Sequence, residues 1–488
     1  MDQPYSRIAD ALLDYQYWAP NDPQKNPYDD TGWTFPEGFA VQAVRVVDAR
    51  VLDVRMEPIK GDVGPPSGIV TGSSGPAAIF AINHNGDNAL VTLRYRLKTA
   101  DIQMAEESFE YGGTKFNRGS FIVKGVTQGD LSRIATELGL RAYPLSDVPN
   151  VKMHPARAAR VALLHTWAST QAEGWWRQAF DTYGVPYDYI GPEDIARNAN
   201  LRDKYDVIIF GPGGGQAAVD GLPMWRNAEP WKKSAETPNI GTFAQTDDIR
   251  AGLQLEGLIH IRDFVNKGGA FVAATTSADL LVGTGLVKGV TTIRPAATSR
   301  VVGSLLRTRI SDDGSPIVYG VPDALAVYSN NGWSFNTSDG GGRGGAGAAG
   351  QPGTGGRGGG PGPLRATGRG TPDDPDVVQG RPATEGTEDF GAPSSPGDGR
   401  GNNSIQTPME FRPRPVLRFD QQGSLLVSGL LDGGSDIAGQ AVVVDVPSDK
   451  GHYVLFANNP IYRGETLGGY FMVFNTILNF DSLGLGRK

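Results

Sequence analysis

Apolar positions along this chain change period several times, and the clearest change lies in EGLIHIRDFVNKGGAFVAATTSADLL, residues 256–281. Leu258, Ile261, Phe264 and Val265 recur at helical spacing, Lys267 sits in the last turn, and Gly268-Gly269 supplies a left-handed stop. The apolar run 270–274 then predicts a strand buried on both faces of a parallel sheet. Thr275, Thr276 and Ser277 follow at its carboxyl end, where open α/β sheets bind ligands. The same alternation begins at RVALLH (160–165) and continues through a helix over 173–183. Strands PYDYI (186–190) and YDVIIFGPGGG (205–215) follow, which predicts a doubly wound, parallel arrangement. Strand-like segments TTIRPAA, SRVVGSLLRTRI and ALAVYS come next. Beyond residue 412 the pattern resumes with PVLRFD, SLLVSGLL, AVVVDVP and HYVLFANN and ends in a helix, LGGYFMVFNTILNF.

The first 150 residues read as a smaller α/β module. A helix is expected over SRIADALLDYQYW and strand-like alternation over VQAVRVVD. Then come strand AAIFAIN, a turn at Asn85-Gly86, helix DNALVTLRYRLK, and strands around ESFEY and GSFIVKG. TQGDLSRIATELGL at 127–140 echoes DQPYSRIADALLDY at 2–15. The second copy follows a strand and the first does not, so a repeat would place Met1 inside a larger fold. Residues 338–412 form a Gly/Pro/Arg-rich tract with an acidic end. It cannot bury enough apolar surface to offset its ordering entropy and is expected to be disordered. The expected organisation is an α/β connector over 1–150, an open, mostly parallel doubly wound (Rossmannoid) domain over 158–337 plus 413–484, and the 338–412 insertion.

Composition narrows the partners. A chain of 488 residues predicts about three units with a sizeable core. A net charge of −8 and a pI near 5.3 argue against nucleic acid and anionic membranes. The absence of cysteine excludes disulfides, thiolate metal sites and cysteine nucleophiles. No run approaches the roughly 18 apolar residues of a membrane span, and MDQPYSRIAD does not read as a signal peptide. The arginines Arg343, Arg357, Arg365 and Arg369 lack interleaved aromatics, so a solvated linker is expected there rather than an RNA-binding segment.

The candidate chemistry gathers at strand ends. Thr275–Ser277 resemble a nucleophile elbow but lack Gly-x-Ser-x-Gly, and a Ser/Thr hydrolase there would require a base within hydrogen-bond reach. A helix-start cap is the expected role of Ser277. GPGGGQ, with Gly213 and Gly214, would cradle a phosphate or form a tight turn, and it fits neither Gly-rich nucleotide pattern. His84, His154, His165, His260 and His452 form no zinc-type pair, so no metal site is expected. His165, at a strand's carboxyl end, is the one expected to face a ligand, and His260 is expected to pack or lie at the surface. Trp175-Trp176 offer either core burial or an aromatic patch for a sugar or a partner domain.

The strand-helix-strand order, the loop after VIIFGPGGG and GLIHIRDFVNKGGAFVAA together resemble a class I glutamine-amidotransferase-like domain. In that family the elbow carries cysteine and a late His-Glu pair completes a triad. Here the elbow reads Thr-Thr-Ser, and FANNPIYRGET offers Arg463 and Glu465 without a histidine. MDQPYSRIADALLD with YDDTGWT, KFNRGSFIVKG, and GLLDGGSDIAGQAVVVDVPSDKGHYVLFANNPIYRGET resemble the region following the catalytic domain of large bacterial zinc carboxypeptidase-like proteins. That resemblance implies a non-catalytic accessory region that packs against a peptidase domain absent from this chain. No cofactor is expected here, zinc belonging to the peptidase, and the setting would be secreted or periplasmic. The alternatives are a stand-alone module binding a small metabolite or sugar, and a hydrolase at 275–277.

Overall fold

The computed structural model describes residues 4–337, 408 and 411–487, apart from 20, 25–26, 59, 62–63, 65, 71–77, 168, 223–226 and 323. The expected disordered tract therefore lies almost wholly outside the described residues. The fold is α/β and contains two large sheets.

The smaller sheet has the order 68–69, 141–145, 79–82, 121–124, 101–105, 153–155, and it is antiparallel except at its first pairing. Helix Gln128–Glu137 packs Leu131, Ile134 and Ala135, and Thr127 caps its first turn by accepting from the Asp130 N–H. The echoing helix Ser6–Leu13 has the same register of residues but buries none of them.

In the larger sheet five parallel strands carry the doubly wound pattern: β1 (Val161–Leu164), β2 (Tyr187–Ile190), β3 (Val207–Phe210), β4 (Ala270–Ala274) and β5 (Gly451–Phe456). Their spatial order is β2-β1-β3-β4-β5, and strands from 441–448, 414–419, 304–310 and 324–329 continue the sheet in antiparallel fashion. Helices α1 (Thr170–Tyr183) and α4 (Leu467–Leu478) cover one face, and α2 (Gln254–Asn266) and α3 (Thr276–Gly283) the other. At the end of α2, Gly268 takes φ +93° and stops the helix. Gly269 is needed for space, because a Cβ there would lie 2.3 Å from the Phe264 ring.

Helix α4 joins the two sheets, and every residue from Gly468 to Leu478 is buried. His84 and Asn475 share a 2.9 Å hydrogen bond, and Asn475 donates to the Ile317 and Tyr319 carbonyls. His154 meets Asn479 at 2.6 Å and Glu106 at 3.3 Å, while His452 meets Asp445 at 2.6 Å. These three histidines are built into packing. His260 sits on α2 with Nδ1 2.9 Å from the Ile195 carbonyl.

One sequence expectation fails. Residues 41–48 form no strand. They run exposed, with Val41, Val44, Val46 and Val47 each 58% accessible or more. Alternation specifies a strand only where a neighbouring edge and a covering face exist, and among the described residues this segment has neither.

Candidate functional site

In the order 2-1-3-4-5 the chain reverses direction across the sheet between β1 and β3, and the crevice outside their carboxyl ends is where such folds bind ligands. Four loops meet at this edge. His165 and Thr166 end β1, Gly211–Gly214 end β3, Thr275–Ser277 end β4, and Asn458-Asn459 follow β5. Thr166 Oγ1 lies 3.8 Å from where a Gly214 Cβ would stand, so the β1 and β3 loops touch.

The turn after β4 has the backbone of an elbow. Thr275 takes φ +49° and ψ −116°, a costly conformation for a β-branched residue, and its N–H is held by the Phe456 carbonyl at 2.8 Å. The neighbouring hydroxyls fasten the turn to the β3 loop. Thr276 Oγ1 donates to the Gly213 carbonyl and Ser277 Oγ to the Gly211 carbonyl, both at 2.6 Å. Ser277 is fully buried and does not act as the helix-start cap that its position suggests, because its hydroxyl crosses to β3 instead. Both protons are committed to backbone oxygens rather than to a base. Ser277→Ala is expected to lower stability by about 1–3 kcal/mol by leaving a buried carbonyl without its donor, read as a lower denaturation midpoint.

A buried polar group lies beside the elbow. His165 is 2% exposed, stacks on Tyr189 at 4.0 Å between ring centroids, and meets Trp167 edge-on at 4.6 Å. Neither ring nitrogen has a hydrogen-bond partner among the described residues, and burial pulls its pKa down to about 4, so the ring is neutral. Tyr189 donates to Glu173 Oε2 at 2.8 Å, while Glu173 Oε1, also buried, has no partner among them. Burial pushes the Glu173 carboxyl up to about 7, against smaller opposing effects of the Tyr189 hydrogen bond and of Arg177. Arg177 lies over the Tyr189 ring at 4.7 Å, and Asn458 Oδ1 is a further buried acceptor without a donor among the described residues.

Of the residues singled out from sequence, His165, Gly213, Gly214, Thr275, Thr276 and Ser277 share this edge. Arg463 and Glu465 do not join them. Arg463 turns through φ +46° and pairs with Asp29 at 2.8 Å and Asp30 at 3.2 Å, next to Tyr328 and Tyr462. Glu465, half-buried there, has its pKa raised to about 7 by burial and then by Asp30. Trp176 is fully buried and donates to Asn459 Oδ1 at 3.2 Å, whereas Trp175 is partly exposed. Glu173, Tyr189 and Asn458 are not evident from sequence. For Glu173 a signal existed, because it shares the i, i+3, i+7 face of Trp176 and Phe180, which is the buried face of α1. Among the described residues no group of three His, Cys, Asp or Glu side chains is arranged to hold a metal ion, and no helix is long and apolar enough to cross a membrane.

No family model and no curated protein matches this chain. Solved structures with a similar fold include a putative ThuA-like protein from Bacteroides uniformis, at 8% identity over 70% of this chain and 99% of that one, TM-score 0.31. Another is a putative GMP synthase protein from Thermoplasma acidophilum, at 9% identity over 65% and 92%, TM-score 0.30. A glutamine amidotransferase from Thermotoga maritima aligns at 12% identity over 37% and 64%, TM-score 0.23. At these identities and TM-scores the likeness carries no activity across to this chain.

Proposed function

We propose that this chain is a non-catalytic, amidotransferase-like module that binds a small, polar metabolite or sugar at the switch point between β1 and β3. The observation that carries this reading is the set of buried polar atoms at that edge without partners among the described residues: both nitrogens of His165, Oε1 of Glu173 and Oδ1 of Asn458. Native interiors satisfy nearly all such groups, and orphaned ones cost about 1–3 kcal/mol each. A ligand presenting hydroxyls or amides would supply the missing bonds. The elbow supports a binding role, because Thr276 and Ser277 spend their hydroxyls on backbone carbonyls.

His165→Phe keeps the stack on Tyr189 and removes both orphaned nitrogens. It is expected to raise the stability of the unliganded protein by about 1–3 kcal/mol. It is also expected to abolish the rise in Tm that a ligand gives by binding the native state alone. Thermal unfolding of both proteins against a panel of sugars, polyols and small carboxylates tests this. The reading fails if no compound shifts the wild type, or if a shift survives unchanged in H165F.

An accessory role beside a zinc carboxypeptidase-like domain has a separate support. Tyr5, Ile8, Leu13, Val44, Val47 and Leu52 are all at least 50% exposed within the first 52 residues, and an apolar surface of that kind marks a protein contact. Chelator-sensitive release of C-terminal residues from peptides by the purified chain alone would refute both readings.

A further inference from the structure

The free edge of β2 offers a recognition surface separate from the switch point. Among the described residues β2 is the terminal strand of the large sheet, pairing with β1 on its inner side. Two open grooves of about 1070 and 740 Å3 run along its outer side and share Pro186, Tyr187, Asp188, Lys204 and Tyr205. Every residue from Val185 to Ile190 lines the larger one, so the strand edge forms its floor. An exposed edge with its unpaired N–H and C=O groups is a template for another strand. Phe243, 70% exposed and stacked over Arg177 at 3.8 Å, adds an apolar wall.

The charges in the grooves indicate which strand would fit. Asp181 and Asp188 accept the hydroxyls of Tyr187 and Tyr205, and Asp194 accepts the Gly191 N–H. Asp206 and Asp481 are in ion pairs with Arg160 and Arg157. The acidic groups are thus engaged, while Arg177, Arg197 and Lys204 line the larger groove and Arg94 and Lys98 the smaller. On a chain of net charge −8 this is a local cationic strip. We propose that the β2 edge takes up an extended, acidic peptide segment by strand addition, the main chain pairing with residues 187–190 and the acidic side chains meeting the strip.

Fluorescence anisotropy with a labelled short peptide of alternating Glu and Val tests the proposal. Saturable binding is expected that weakens with salt. The double charge reversal R197E/K204E, at groove-lining positions away from the His165 group, is expected to weaken it by about tenfold or more. Hydrogen exchange is expected to slow at the amides of residues 187–190 in the complex. N-methylation of alternate peptide residues removes main-chain donors but keeps the charge, and is expected to abolish binding. The proposal is overturned by absence of saturable binding, by equal binding of the N-methylated peptide or of a Lys-for-Glu peptide, or by protection confined to other segments. A dimer seated along β2 without peptide would assign the edge to a second copy and also overturn it.

Discussion

Trp176→Ala is expected to lower the unfolding free energy by roughly 3–5 kcal/mol, the range for truncating a fully buried tryptophan. The indole occupies the inner face of α1 with no exposed surface. It lies so close under the β3 loop that a Cβ at Gly211 would stand 3.2 Å from the ring, and its N–H holds Asn459 after β5. Truncation opens a cavity between two of the four loops at the ligand edge and releases Asn459, neighbour of the orphaned Asn458. Trp176→Phe keeps most of the volume and loses the hydrogen bond, so its cost should stay near 0.5–1.5 kcal/mol plus a small packing term. Urea denaturation with an unchanged m-value separates the two variants. A loss under about 1 kcal/mol for W176A would show that the indole is not what spaces these loops. Any ligand-induced rise in Tm should be lost in W176A and largely kept in W176F.

The parallel strands were legible because each is a run of four to six mostly apolar residues between turn signals, which only a strand buried on both faces explains. Thr275–Ser277 and Gly213-Gly214 were legible as site positions for the same reason: they follow such runs. Partnerships across the sequence were not. Arg463 and Glu465 lie a few residues from Asn458-Asn459, yet the chain turns at Arg463 and delivers them to Asp29 and Asp30, more than 430 residues earlier. Nothing periodic encodes that contact. Residues 41–48 misled in the opposite direction, since their alternation is local while a strand needs a neighbour. Glu173 was hidden because a carboxylate in the first turn of a helix is ordinarily explained by the helix dipole and exposure.

The buried Glu173 makes a pH prediction with a definite sign. Its folded pKa of about 7 lies above its ordinary value of 4.5, so the folded protein holds the proton more tightly than the unfolded chain. The stability this contributes is fully present below pH 4.5 and is lost as pH rises through about 7, amounting to about 3 kcal/mol at 1.36 kcal/mol per pKa unit. His165 and His84 act the other way. Each has its pKa lowered from 6.5 to about 4 by burial, so their contribution is present above pH 6.5 and is lost as pH falls toward 4. Between pH 4.5 and 6.5 the two effects oppose each other, and the wild-type profile understates both. Glu173→Gln removes one of them. The variant is expected to lose stability on acidification more steeply than wild type, and to gain on it by about 2–3 kcal/mol between pH 5 and pH 8.5. Any constant penalty from the amide's own unmet hydrogen bonds cancels in that difference. Denaturant titrations of both proteins across this range decide the matter: parallel profiles would mean that Glu173 is ionised in the folded protein at neutral pH. In that case the group beside His165 would present an anion, and the ligand it favours would have to be a cation rather than a neutral hydroxyl compound.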